Sequence, residues 1–313
     1  MKAHTDVSTT TTSHVSRRRF AAAIAGAGAL AAGSQPSRAA GAKAAPSQCR
    51  AAEIVTLGNT GIKTSRLAQG TGFSGGARSS AHTRMGMKAF TELVRHATDR
   101  GVSFMDTADL YGSHRYLREA LAGVPQDNYI VLSKIWPRTE YWNHASGGAK
   151  AEVERFRKEL DRDVIDICLI HCMTNSNWAR EFQRIRDELT ELKEKGQVRA
   201  VGVSCHDFGA LQVACTDDWT DVVLARINNV GKSASMDGTP EQVAALLKQA
   251  RAKGKAVVGM KIFGNGKLTA PGQKDASLKY VFENDLVDAM TIGTLDVTQV
   301  DDTIERINKN FKA

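Results

Sequence analysis

Four side chains in this sequence have the types needed to deliver a proton to a carbonyl oxygen: Asp106, Tyr111, Lys134 and His171. An isolated tyrosine titrates near about 10, so at neutral pH it holds its proton but donates it poorly. A nearby ammonium favours the phenolate, so Lys134 is expected to lower the Tyr111 value and make it a better acid. Asp106 would keep that lysine charged through a charge-assisted hydrogen bond. His171 would orient the substrate oxygen or relay a proton. Each residue alone has a plainer use: a helix cap, a surface lysine, a loop aromatic, a satisfied core histidine. Only their joint placement gives them weight.

That placement follows from the elements around them. From residue 54 onward, short β-rich runs alternate with amphipathic helical stretches. The strands are expected at residues 66–71, 102–108, 129–135, 165–171, 200–205, 222–228, 256–262 and 289–294, eight in all. Runs such as Ile165-Asp166-Ile167-Cys168-Leu169-Ile170 are apolar almost throughout, as parallel strands buried on both faces are. Between them, Phe182, Ile185, Leu189 and Leu192 recur at helical spacing, as do Val297, Val300, Ile304, Ile307 and Phe311. Thr239-Pro240-Glu241-Gln242 reads as a helix start with a capping box, and Gly101, Gly196 and Gly254 read as glycines that end helices. This alternation predicts an α/β fold, a (β/α)8 TIM barrel, with residues 54–64 as a hairpin plugging its bottom. A doubly wound sheet is the alternative, but no G-x-G-x-x-G opens a first helix. In such a barrel chemistry sits at the C-terminal strand ends, where Asp106, Tyr111, Lys134 and His171 fall.

The motif Asp-Thr-Ala-x-x-Tyr-Gly at 106–112, Ser133-Lys134, Leu169-Ile170-His171 and Gly202-Val203-Ser204 together resemble the aldo/keto reductase pattern, in that family's order. The opening run from Leu57 to Leu67 is similar to the family's first hairpin, and the resemblance extends from about residue 54 to the C-terminus. It implies that Tyr111 is the general acid toward a carbonyl, tuned by Lys134 and Asp106, with His171 positioning the oxygen while a reduced nicotinamide, NADP or NAD in its reduced form, delivers hydride. It also implies cofactor contacts at Gly70 and Thr71 after the first strand and at Ser204, where Cys205 stands in place of the family's following Asn. Further contacts are implied at Arg226, at Lys261, Phe263 and Asn265 after the seventh strand, and at Gly293 and Thr294 after the eighth. Gly293 and Gln299 occupy places where the family often has Lys and Arg for a 2′-phosphate, so the resemblance does not imply NADPH over NADH. Trp136, Trp142 and Trp178 follow strands and either wall a pocket or pack the core.

Charge and cysteine content exclude other classes. Six of the eight net positive charges belong to residues 1–50, so the remainder is nearly neutral and offers no nucleic-acid-binding face. Cys49, Cys168, Cys172, Cys205 and Cys215 lack metal-ligand spacing, which predicts free thiols and no metal. Cys168 and Cys172 are expected to share one face of a strand. Residues 1–50 form an expected export signal and linker ahead of a barrel domain at 51–313. Ser16-Arg17-Arg18-Arg19-Phe20, the apolar run 21–32 and a small-residue zone near 39–42 resemble a twin-arginine signal. The apolar run is too short for a membrane span, so none is expected after cleavage.

Together these readings predict an exported, periplasmic oxidoreductase acting on a small-molecule carbonyl or sugar, with the twin-arginine machinery as its transport partner. The alternatives are a catalytically quiet nicotinamide-binding sensor or partner subunit, and a sugar-active barrel with a tightly held, recycled cofactor.

Overall fold

A computed structural model describes residues 50–142 and 146–311. The leader motif, its cleavage zone and Cys49 lie outside those residues. Among the described residues ten strands form two sheets. β1 (Ile54–Thr56) and β2 (Lys63–Ser65) make an antiparallel pair. The others are β3 (Leu67–Gly70), β4 (Phe104–Asp106), β5 (Ile130–Ile135), β6 (Ile165–Met173), β7 (Val198–Cys205), β8 (Val222–Arg226), β9 (Ala256–Met260) and β10 (Ala289–Ile292). All eight pair in parallel and in sequence order, and β10 returns to β3 to close the barrel. The expected barrel is therefore the fold. Several strands are shorter than their apolar runs suggest, although Thr71, Thr107 and Ile227, one residue past their strand ends, still donate to the neighbouring strand.

The two-residue period of a strand sorts side chains into two cores. Ala68, Phe104, Leu132, Leu169, Ala200, Leu224 and Val258 fill the barrel interior. Their neighbours Leu67, Met105, Val131, Ile170, Val201, Val223 and Val257 face the helices in the outer layer. Leu57 and Ile62, from the hairpin connection, join the interior set and close its lower end. The hairpin is keyed there by the Asn59 N–H donating to the Gly254 carbonyl at 2.8 Å. Gly58, at φ +46°, lies so close to the backbone of 254–256 that no Cβ would fit.

The helices form where periodicity and caps place them. Thr239 and Gln242 exchange the two capping-box hydrogen bonds at the start of helix Pro240–Ala252. Helix Val297–Asn310 buries Val300, Ile304 and Ile307, and helix Gln183–Glu194 buries Ile185, Leu189 and Leu192. Gly101, Gly196 and Gly254 all take positive φ just past helix ends. Trp178 is fully buried in the outer layer, where Nε1 donates to the Ala210 carbonyl, so it walls no pocket.

Candidate active site

Counting inward positions upward explains how the reactive group assembles. The next inward positions above Phe104, Leu132 and Leu169 are Asp106, Lys134 and His171. Tyr111 arrives differently, on a 3-10 turn (Asp109–Tyr111) that Gly112 ends at φ +66°. The loop after β3 covers its ring: Gly72 and Gly75 lie against Tyr111 with no room for a Cβ.

The four groups meet. Lys134 Nζ donates to Asp106 Oδ1 and, at 2.8 Å, to the Thr107 carbonyl. Thr291 Oγ1 donates to the other Asp106 oxygen at 2.8 Å. Lys134 Nζ also stands 4.9 Å from the centre of the Tyr111 ring. The Tyr111 hydroxyl and His171 Nε2 are 3.4 Å apart, and the two rings meet edge to face. Trp136 packs edge-on against the same imidazole, with ring centres 5.5 Å apart.

Burial dominates the electrostatics. It pushes the Tyr111 phenol well above its usual 10, and the charges of Asp106 and Cys172 push the same way. This reverses the expected direction. Lys134 is already engaged by Asp106, so the pair presents little net charge to the phenol, while the glycine loop strips the ring of water. Burial also pulls Lys134 down, against the opposing effect of Asp106. Burial, followed by the charge of Lys134, holds His171 well below 6.5. At neutral pH the site therefore presents a protonated phenol and a neutral imidazole beside an ion pair.

A cleft of about 390 Å³ runs from Asp106 and Tyr111 across the ends of β9 and β10. Gly70, Lys261, Phe263, Asn265, Gly293 and Thr294 line it. Thr71, Ser204, Cys205 and Arg226 do not. Thr71 is buried and donates to the Asp106 carbonyl. Ser204 Oγ accepts the Cys172 N–H at 2.7 Å. Cys205 faces the outer layer with Cys215, because it sits one step off the inward parity of Ser204. Arg226 is paired with Asp237. An irregularity between Ile170 and Met173 breaks the alternation on which a shared face for Cys168 and Cys172 rested. Cys172 takes φ +66° and is half-exposed, whereas Cys168, Cys205 and Cys215 are buried free thiols. No group of His, Cys, Asp and Glu suited to a metal occurs among the described residues.

The cleft suits a long, partly apolar, anionic ligand. A Cβ on Gly70 would stand 2.9 Å from Thr291 Oγ1 and 3.2 Å from the Gly293 nitrogen, so glycines keep the floor bare. Phe73 and Phe263 offer apolar walls, and Lys261 and Lys274 offer charge. Beneath the floor, His82 Nε2 lies 2.9 Å from the Thr294 carbonyl. Phe73, His82 and Lys274 were not singled out from sequence, because each lies on a loop or helix carrying no motif. Neither was Asp109, a buried carboxylate gripped by Arg78 at 3.0 Å and Arg155 at 2.9 Å. Arg155 continues to Glu159, and His114 bridges Glu159 and Ser133 at 2.8 Å each. The turn carrying Tyr111 is thus tied to the strand carrying Lys134.

Comparison with known proteins bears on the family and the fold. A family model described as "Aldo/keto reductase family" matches residues 66–312. The chain is 28% identical over 163 residues to the aldo-keto reductase YhdN of Bacillus subtilis, covering 49% of this chain and 46% of that protein. It is 31% identical over 182 residues to a 6-dehydroglucose reductase of Novosphingobium aromaticivorans, covering 54% and 56% respectively. The chain thus spans about half the length of these curated relatives. A solved aldo/keto reductase from Klebsiella pneumoniae, in complex with NADP and acetate, superposes with a TM-score of 0.58 at 17% identity, over 81% of this chain and 89% of that one.

Proposed function

Since this chain belongs to the aldo/keto reductase family, we propose that it is an oxidoreductase that reduces an aldehyde or ketone using NADPH or NADH. The observation that carries this reading is the 3.4 Å pairing of the Tyr111 hydroxyl with His171 Nε2, backed by the Lys134–Asp106 ion pair and opening on the cleft. When bound, the reduced nicotinamide supplies the hydride. Tyr111 donates its proton to the carbonyl oxygen, and neutral His171 steers that oxygen through Nε2. As the phenolate forms, Lys134 stabilises the new charge, an interaction absent from the ground state. Asp106 and Thr291 hold Lys134 in place without taking its proton. Gly70 and Gly293 supply a bare floor for the cofactor, Phe263, Asn265 and Thr294 its walls, and Lys261 and Lys274 the charge for its phosphates.

The test mixes the mature protein with NADPH or NADH and a panel of aldehydes and ketones. Absorbance loss in the wild type, reduced about 10²- to 10⁴-fold in Tyr111→Phe, is expected for loss of a general acid. Equal rates in both proteins would sink the reading.

The leader motif supports export by the twin-arginine route and a periplasmic location. Replacing Arg17 and Arg18 with lysine should keep the protein in the cytoplasmic fraction. A second reading, oxidation or epimerisation of a sugar with a retained cofactor, draws on the similarity to the 6-dehydroglucose reductase. Co-purification of nicotinamide with the exported protein would favour it.

A further inference from the structure

The carbonyl end of the site carries more positive charge than proton delivery requires. Asp106 engages Lys134 and Asp237 engages Arg226. Lys261 lines the cleft and is assigned to the cofactor's phosphates, which leaves Arg138. Among the described residues Lys261 meets no carboxylate, its Nζ donating instead to Asn265 Oδ1 at 2.9 Å. Arg138 reaches Glu140 at 3.3 Å, and that carboxylate is 60% exposed. Burial and then the charges of Lys134, Arg138 and Lys261, among others, hold both His171 and His206 below the usual histidine value.

Arg138 is held where it could meet a substrate. It follows Trp136 and Pro137 at the exit of β5, and its guanidinium lies 4.4 Å from the Trp136 ring centre. The same Trp136 packs against His171. Arg138 Nη1 donates at 2.9 Å to the carbonyl of Cys172, the residue directly after His171. His206 Nδ1 lies 3.1 Å from Cys172 Sγ. The aromatic ring and the carbonyl fix the plane of the guanidinium, a fork matched to a carboxylate. Arg138 is not among the residues that line the cleft.

We propose that the physiological substrate is a carbonyl compound bearing a carboxylate, whose acidic group is bound by Arg138 while its carbonyl oxygen meets Tyr111 and His171. Glu140 serves as the exchangeable placeholder, since a rim pair with so exposed a carboxylate is readily replaced. A neutral aldehyde gains nothing from this guanidinium, and a cationic one is repelled. The proposal rests on the carbonyl-reductase reading of the same site.

The experiment compares kcat/KM for 4-carboxybenzaldehyde and benzaldehyde in the full chain. The acid should be preferred, and Arg138→Gln should cut the acid-to-neutral ratio about 10- to 100-fold, the scale of one charge-assisted contact. Arg138→Lys should restore part of it, and Glu140→Gln should raise the ratio. A ratio near one in the wild type, or one unmoved by both Arg138→Gln and Glu140→Gln, would overturn the proposal. Calorimetric titration with benzoate and benzyl alcohol in the presence of NADP separates the two ideas. Benzoate binding lost in Arg138→Gln supports the anion subsite even in a protein that reduces neither aldehyde. Equal weak binding of both ligands counts against it.

Discussion

At the scale of single residues, burial rather than spacing decides what each group does. Lys134 is almost wholly enclosed, and removing it leaves Asp106 as an unpaired charge in the barrel. Lys134→Met should cost about 3–5 kcal/mol of folding stability in addition to activity, whereas removing both charges together should cost less than the sum. Denaturant titration of the two single variants and the double variant checks this. His82 offers a pH test. Burial holds it at about 4 in the folded chain, against the raising effects of the Thr294 carbonyl and Asp106. An unfolded histidine binds its proton near about 6.5, so below that value the unfolded state takes up more protons than the folded one. Stability associated with His82 is therefore present above about pH 6.5 and is lost as pH falls toward 4. Between pH 7 and pH 4.5 that loss should be about 2–3 kcal/mol, and it should vanish in His82→Asn while other groups still titrate. Parallel denaturation curves for the variant and the wild type at pH 4.5 and 7 would contradict this.

At the scale of elements, the hairpin and the Tyr111 turn act on the site from opposite ends of the barrel. Leu57 fills the floor of the interior, so Leu57→Ala should destabilise the fold by about 2–5 kcal/mol while changing cofactor affinity little. Asp109 lies beside the chemistry and is buried between two arginines. Asp109→Asn should loosen the turn and lower kcat more than it raises KM, with melting temperature as the control. Much of this organisation was legible in the sequence. The apolar runs end in polar residues because parallel strands have nowhere else to place them, and that pattern marked Asp106, Lys134 and His171. What the sequence hid depends on neighbours distant in the chain. The irregularity in β6 puts Cys172 N–H on Ser204, a contact that Gly202-Val203-Ser204 does not announce. The rise of Tyr111 above 10 comes from glycines some forty residues earlier folding over its ring. Lys274 lines the cleft from a helix whose own sequence says only that it begins with proline.

At the scale of the whole molecule, the chain must return to its start. β10 pairs with β3, the Met290 N–H donates to the Arg66 carbonyl at 2.8 Å, and Ala51 N–H donates to Asn308 Oδ1 at 3.1 Å. A chain truncated after residue 288 would leave β3 and β9 as open edges, and it should be cut rapidly by protease where the full chain resists. The seam also carries Thr291, whose hydroxyl engages the carboxylate of Asp106. On the ribosome, Asp106, Tyr111, Lys134 and His171 are all made long before Thr291. Closure of the barrel and completion of the hydrogen bonds around Asp106 are therefore a single late event. The last strand is thus the piece that both shuts the barrel and completes the contacts of Asp106.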